Sequence, residues 1–359
     1  MSKKIHILYT IPNFDTAGSG KVVYDLANHL DKKRFKVSIA CNNNGGLFFK
    51  EVEALDLPIH IILLTKPIRP YYTLISRLKP FRKFLKKEKI DLVHSWNYTS
   101  DWTEPLACKL VGVPFIYTKK AMSWGNKHWK IRSYLSAFII TVNTQMQAFF
   151  PNKKQQALIP FGLDTSYYHL EKFNVTKNTS VFKIITVANL VAVKNIELLL
   201  EAMYTIKYLP IHLDIVGDMQ NEYVNKLQHI VNELQLETQV SFLGKHLDVR
   251  PLLAQADVYV IPSKKEGMPM ALVEAMAMQL PVLGANIPGI SYVLQEFPDL
   301  LFPLSDATLL ATKIESIYNL PIQQQQKLGL RLRNYCVKHF SMAAFIKQHE
   351  DLYLKIVKQ

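Results

Sequence analysis

Cysteine is scarce in this 359-residue chain: Cys41, Cys108 and Cys336 stand singly and far apart. With no CxxC and no Cys/His spacing, neither a disulfide framework nor a zinc site is expected, and the three thiols read as small buried hydrophobes. Long apolar runs are missing as well. No stretch of eighteen apolar residues occurs, and MSKKIHILYT enters a strand directly rather than a secretion signal, so a soluble, unexported, cytoplasmic protein is expected. Two nucleotide fingerprints fail. GSGK at Gly18–Lys21 looks like the end of a Walker A loop, but the glycine required five residues before Gly20 is Asp15, and Lys21 precedes Val22 instead of Ser or Thr. The position three after Gly20 is Val23, so the dinucleotide signature G-x-G-x-x-G fails too. These gaps exclude a P-loop ATPase and remove the support for a nicotinamide oxidoreductase. No metal-binding cluster is evident.

Acidic residues are short in one half only. The formal net charge of +14 falls entirely within residues 1–164, where 25 Lys and Arg face 11 Asp and Glu; residues 165–359 hold 18 of each. Much of the excess lies in Lys66 to Lys89, with nine basic residues and one acidic. Tyr71, Tyr72, Leu74, Ile75, Leu78, Phe81, Phe84 and Leu85 are interleaved there, near helical spacing from Leu74 onward, with Pro80 interrupting. Such a segment can lie on an anionic membrane surface, which would make the protein peripheral on the inner face of the membrane. It can equally be a solvated helix whose apolar face packs on its own domain. Nucleic acid is not expected as a partner, because no recognised binding module accompanies the charge.

What the chain does have is 49% hydrophobic residues, enough for two domains with full cores. Short apolar strands alternate with helical stretches from Lys4 to about Asp164. A polar linker follows over 165–180, and a second alternating series runs over 181–339. The pattern predicts an α/β protein of two Rossmann-like parallel-sheet domains facing each other across a cleft at the C-terminal ends of their strands. A helix over about 340–359 is expected to pack back on the first domain.

The chemistry concentrates in KKEGMPMALVEAMAMQLPVLG, Lys264 to Gly284. Glu266 lies in the turn after the strand VYVI, and Glu274 lies inside the helix that follows. A helix that opens just past a strand presents unpaired N–H groups and its positive dipole end, which suits a phosphate. Carboxylates there suit hydroxyl donors. Phosphate on the backbone and hydroxyls on the glutamates describe a sugar nucleotide.

The order of motifs resembles the retaining nucleotide-sugar glycosyltransferases of family 4, which have the two-Rossmann GT-B fold. The resemblance covers nearly the whole chain. It rests on AGSGKVVYDLA, DLVHSW, LIPFGLDTSYY, VANLVAVKN, LDIVGD and FLGKHLDVRPLLAQADVYVIPSKKEGMPMALVEAMAMQLPVLGANIPG. It implies that Glu266 lies at the donor sugar, that Glu274 takes the ribose hydroxyls, and that Lys194 neutralises the donor pyrophosphate. Backbone N–H groups of Gly267, Met268 and Met270 would approach the phosphates or sugar; Pro269 has none. The arginine usual five residues before Lys194 is Asn189 here, which removes a positive charge from the leaving-group site. Lys119 or Lys120 could supply it, since YTKKAMSW stands where many members carry a histidine facing the donor sugar. Phe161 stands where asparagine is common and Gln279 where glycine is common. His94 ends a strand facing the expected cleft. Gly217 and Asp218 form a turn near base or sugar, Lys245 and His246 lie in a loop near the base, and Gly18, Ser19 and Gly20 form a loop that lets the backbone approach a ligand.

The implied reaction moves a hexosyl group, with retention, from a nucleoside diphosphate sugar to a hydroxyl acceptor, without a required cofactor or metal. A UDP-sugar is the expected donor. A glycan or lipid-linked intermediate of cell-surface polysaccharide assembly is the expected acceptor. The alternatives are a catalytically silent sugar-nucleotide-binding scaffold of the same fold, which Asn189 supports, and the oxidoreductase.

Overall fold

The computed structural model describes residues 3–358 other than 16, 47, 98, 123–125 and 174–179. Ser123 and Trp124 of the YTKKAMSW stretch, and residues 174–179 of the expected linker, therefore lie outside the described residues. The chain divides into two units, Met1–Pro160 with Phe345–Gln359, and Phe161–Ala344.

In the first unit seven strands form one parallel sheet: β1 Ile5–Ile11, β2 Phe35–Cys41, β3 Ile59–Ile61, β4 Leu92–Ser95, β5 Phe115–Lys119, β6 Phe138–Thr141 and β7 Gln156–Leu158. Their order is β3-β2-β1-β4-β5-β6-β7. β1 pairs with β2 from Ile5↔Phe35 to Ile11↔Cys41 and with β4 from Ile7↔Leu92 to Thr10↔Ser95. A parallel sheet covered on both faces buries both side-chain rows of its strands, and Ile7, Leu8, Tyr9 and Ile11 of β1 are all buried.

Six strands build the second unit: β8 Phe182–Val187, β9 Ile211–Val216, β10 Val240–Gly244, β11 Val258–Ile261, β12 Val282–Ala285 and β13 Leu301–Phe302. They are ordered β10-β9-β8-β11-β12-β13. Strand order reverses between β1 and β4 in one sheet and between β8 and β11 in the other. Such switch points open a crevice at the C-terminal ends of the strands, where open α/β sheets take ligands.

Two local readings of the sequence change. Gly18, Ser19 and Gly20 belong to the first turn of the helix Ala17–His29 rather than to a loop. A Cβ at Gly20 would crowd the Phe14 ring at 3.1 Å, whereas Gly18 faces open space. The helix Lys127–Leu135, with Asn126 as its N-cap, has no counterpart in the sequence reading. The basic segment does break near Pro80: Leu74–Arg77 and Lys79–Lys87 are separate helices that meet at Leu78, and Pro80 sits in the first turn of the second, where its missing N–H costs little. The apolar face of that pair is not free: Leu74, Leu78, Phe81 and Leu85 are buried in the core of their own unit.

The C-terminal helix is Met342–Val357, and its part from Phe345 onward, which belongs to the first unit, packs His349 and Tyr353 against β1 and β4. The Tyr353 hydroxyl lies 3.2 Å from that of Tyr9 and 2.7 Å from His94 Nδ1.

Candidate active site

The loop after β8 and the loop after β11 flank the switch point of the second unit, and two hydrogen bonds tie them together. The Lys264 amide donates to the Val193 carbonyl at 2.8 Å, and the Asn195 side chain donates to the Pro262 carbonyl at 3.2 Å. Asn195 is left-handed (φ 55°), a conformation asparagine tolerates better than most residues. It turns the chain from the short 3-10 segment Ala192–Lys194 into the helix Ile196–Thr205. These constraints bring Lys194 Nζ to 2.6 Å from Glu266 Oε1, with 21% and 13% of the two side chains exposed. A cation and a carboxylate are thus held at the mouth of the crevice, both reachable from solvent.

Gly289 supports the same loop from below. A Cβ there would lie 2.5 Å from the Glu266 carbonyl and 2.7 Å from that of Gly267, so the chain passes too close for any side chain. Met268 is buried, and its sulfur accepts the Phe161 amide at 3.0 Å. Pro269 caps the helix Met270–Ala277 from an extended conformation.

Glu274 lies on that helix, partly exposed and hydrogen-bonded to the Tyr168 hydroxyl. Burial pushes its carboxyl up to about 7, and the tyrosine opposes the shift. Burial leaves this carboxyl few solvent partners, so hydroxyl donors that reach it would stabilise its ionised form. Tyr168 is held in turn by Arg333, which donates to the Tyr168 carbonyl at 2.8 Å, to Thr165 at 3.1 Å and to the carbonyl of Ala277. Beside it the Arg250 guanidinium stacks 3.4 Å from the Tyr167 ring centre and pairs with Asp248 at 2.6 Å. Tyr167, Tyr168, Arg250 and Arg333 were not singled out from the sequence. The signal available was the Tyr167-Tyr168 pair ending LIPFGLDTSYY, which carries a hydroxyl next to Glu274.

Residues 16–161 match the family described as Glycosyltransferase Family 4, and residues 169–335 match the one described as Glycosyl transferases group 1. An uncharacterized glycosyltransferase of Haemophilus influenzae is 30% identical over 299 residues, 80% of this chain and 82% of that one. The chain belongs to the GT-B glycosyltransferases. A relative from Escherichia coli, UDP-Gal:alpha-D-GlcNAc-diphosphoundecaprenol alpha-1,3-galactosyltransferase, is 26% identical over 373 residues, 91% of each chain. The crystal structure of a glycosyltransferase from Rickettsia africae superposes with a TM-score of 0.87 at 19% identity, over 100% of both chains, a likeness of fold.

The remaining residues expected at the site of this glycosyltransferase are placed unequally. In the second unit Asn189 is exposed at the exit of β8, leaving an amide where the resemblance implied a guanidinium. Gly217 is structural: a Cβ would lie 2.2 Å from the Ala188 carbonyl. Asp218 accepts the Gln220 amide at 3.0 Å and so shapes its own turn. Lys245 and His246 are exposed beside Leu247, and His246 Nε2 lies 3.1 Å from the Leu243 carbonyl.

In the first unit the switch point is occupied by Lys120, not Lys119. Lys119 is the last residue of β5 and Lys120 the first beyond it. The Lys119 ammonium lies buried, 4.9 Å from the Phe149 ring centre. Lys120 Nζ donates to Ser19 Oγ at 2.6 Å and to the Trp96 carbonyl at 3.1 Å. Burial, with Arg132 nearby, brings the Lys120 ammonium down to about 8. His94 is corrected from a candidate catalytic residue to a structural one. It is fully buried, with Nδ1 at 2.7 Å from Tyr353 and Nε2 at 2.8 Å from Thr118, so neither ring nitrogen is left for a substrate.

Proposed function

We propose that this glycosyltransferase moves a hexosyl group, with retention, from a UDP-sugar to a hydroxyl of a lipid-linked glycan intermediate in cell-surface polysaccharide assembly. The observation that carries the donor half is the Lys194–Glu266 pair at the β8/β11 switch point, with Glu274 on the helix that directly follows Glu266 in the chain. The acceptor class is supported by the printed activity of the Escherichia coli relative, which names a UDP-sugar donor and a lipid diphosphate acceptor.

In this reading the donor diphosphate competes with Glu266 for Lys194. The displaced carboxylate then accepts sugar hydroxyls, Glu274 accepts the ribose hydroxyls, and the first turn of the helix Met270–Ala277 offers N–H groups to anionic oxygen. As the anomeric C–O bond to the diphosphate breaks, negative charge grows on the leaving oxygen and Lys194 stabilises it. The acceptor oxygen attacks from the same face, and its proton passes to the departing diphosphate, so no protein nucleophile is required. Glu266 positions the sugar, and Lys194 supplies charge without a metal ion or other cofactor. Asn189 favours one rival, a silent sugar-nucleotide binder, because it leaves Lys194 without the second cation.

The test is UDP release from a panel of UDP-sugars with lipid diphosphate-linked sugars as acceptors, and the anomeric configuration of the product read by NMR. Transfer with retention is expected, and Lys194→Ala should lower kcat about 100- to 1,000-fold. Donor binding with no turnover across the panel would favour the silent binder, and an inverted product would overturn retention.

A further inference from the structure

We infer that the exposed face of the helices Leu74–Arg77 and Lys79–Lys87, led by Tyr71 and Tyr72, is a docking surface for an anionic phospholipid bilayer. The inference goes beyond the transfer reading, since docking requires no turnover.

The two faces of this segment differ sharply. Leu74, Leu78, Phe81 and Leu85 are buried, and the opposite side presents Ile75, Lys79, Lys83 and Lys86, spaced every three or four residues so that they share one stripe. Lys87 and Lys89 are exposed beside them, and Glu88 is the lone acidic residue between Lys66 and Lys89. A solvated helix would explain the lysines, but it does not explain the end of the stripe. There Tyr72 is 89% exposed, Tyr71 59% and Ile75 48%, with Leu63 also exposed nearby in the chain. Tyrosine, with an apolar ring and a polar tip, suits the boundary between headgroups and acyl chains.

The aromatic end is also built to stay in place. The Arg77 guanidinium donates to four consecutive backbone carbonyls, Pro67, Ile68 (3.4 Å), Arg69 (3.0 Å) and Pro70 (2.5 Å). Upstream, the Leu64 amide donates to Asn42 Oδ1 at 3.0 Å and the Lys66 amide to Thr103 Oγ1 at 3.0 Å. Asn42 directly follows β2, and Thr103 opens the helix that follows β4. The clamped loop therefore lies at the C-terminal ends of the first sheet, its ligand-binding end. Ordering the loop in advance removes an entropy cost that surface binding would otherwise carry. Positive charge along the stripe matches anionic headgroups, and the apolar end distinguishes a bilayer from a polyanion, which offers nothing for Ile75 to enter.

The full-length protein is sedimented with phosphatidylcholine vesicles that contain or lack phosphatidylglycerol. Binding is expected only to the anionic vesicles and should weaken as salt is raised. A Lys79→Glu, Lys83→Glu, Lys86→Glu variant should lose it. A Tyr72→Ser, Ile75→Ser variant should bind about 10-fold more weakly, with an unchanged melting temperature because both side chains are exposed. Both variants should keep transfer to a soluble acceptor analogue, which separates failure here from failure of the transfer reading. Equal binding to both vesicle types, or parental binding by the Tyr72/Ile75 variant, would overturn the inference. So would equally tight binding to polyadenylate, or a dimer in solution that disappears in the Tyr72/Ile75 variant.

Discussion

Glu274 combines two demands that the sequence shows only as one letter. Burial holds its carboxyl near 7 while the Tyr168 hydroxyl pulls the other way, so the ionised fraction changes across neutral pH. An ionised carboxylate is the stronger acceptor for ribose hydroxyls. UDP affinity measured by calorimetry should therefore rise from about pH 6 to 8. Glu274→Gln should flatten that profile and weaken binding by about 1.5–3 kcal/mol, and Tyr168→Phe should move the profile to higher pH. A flat parental profile would remove the ribose assignment. Gln279 shows what a departure from the family pattern means physically. It is left-handed (φ 59°) at the end of the helix Met270–Ala277, where its amide donates to Met276 and that of Leu280 to Ala275. That is the position at which glycine is favoured. Gln279→Gly should raise stability by about 1 kcal/mol in urea unfolding, since the native turn already has the backbone glycine prefers.

Strands were legible in the sequence because a parallel sheet buried on both faces writes itself as near-continuous apolar runs, as in β11. The helix Lys127–Leu135 was not, because KHWKIRSYL has no clean apolar stripe. Its inward residue is a charge. Arg132 is fully buried between Phe115 and Tyr117, donating to Glu104 at 2.8 Å, to Ser95 Oγ at 2.8 Å and to the Asp101 carbonyl at 2.6 Å. Hydrophobic periodicity cannot find an element anchored by a buried ion pair. The same limit applied to the candidate site: motif order pointed to Glu266, Glu274 and Lys194, but the placing of Lys120 rather than Lys119 at the first switch point depends on its bonds to Ser19 and Trp96, and that of Arg250 and Arg333 on packing. Arg132→Leu should cost about 3–5 kcal/mol in urea unfolding by stranding the Glu104 carboxylate. The double variant with Glu104→Leu should recover part of that loss, because no buried charge then stays unpaired. A double variant as unstable as the single one would mean that the pair's hydrogen bonds, not its charge balance, hold the helix.

The two units carry buried titratable groups of opposite linkage, a property of the whole chain that neither composition nor motif reveals. In the first unit His94 and His349 are fully buried with rings 5.6 Å apart, and His349 Nε2 has no hydrogen-bond partner. Burial lowers both, His349 to about 4; His349 and Lys120 lower His94 further, and His6 and His60 are lowered as well. Between about pH 4 and 6.5 the unfolded chain therefore binds more protons at these residues than the folded unit does, so its stability falls as pH falls. Glu274 in the second unit is the reverse case. Its raised carboxyl makes the folded unit the tighter proton binder between about pH 4.5 and 7, so this contribution grows as pH falls, and Asp214, also raised by burial, acts in the same direction. Glu197, Asp248 and Asp164 are lowered, so their contributions are lost mainly below about pH 4.5. Chains of two domains need not unfold in one step. Calorimetric unfolding should accordingly split at about pH 5 into two transitions, the first unit melting earlier, and draw together near neutrality. His349→Phe, which leaves one fewer buried histidine to charge, should raise the lower transition at pH 5 and change it little at pH 7.5. Glu274→Gln should make the upper transition less dependent on pH. A single transition whose pH dependence neither substitution alters would refute the opposed linkage.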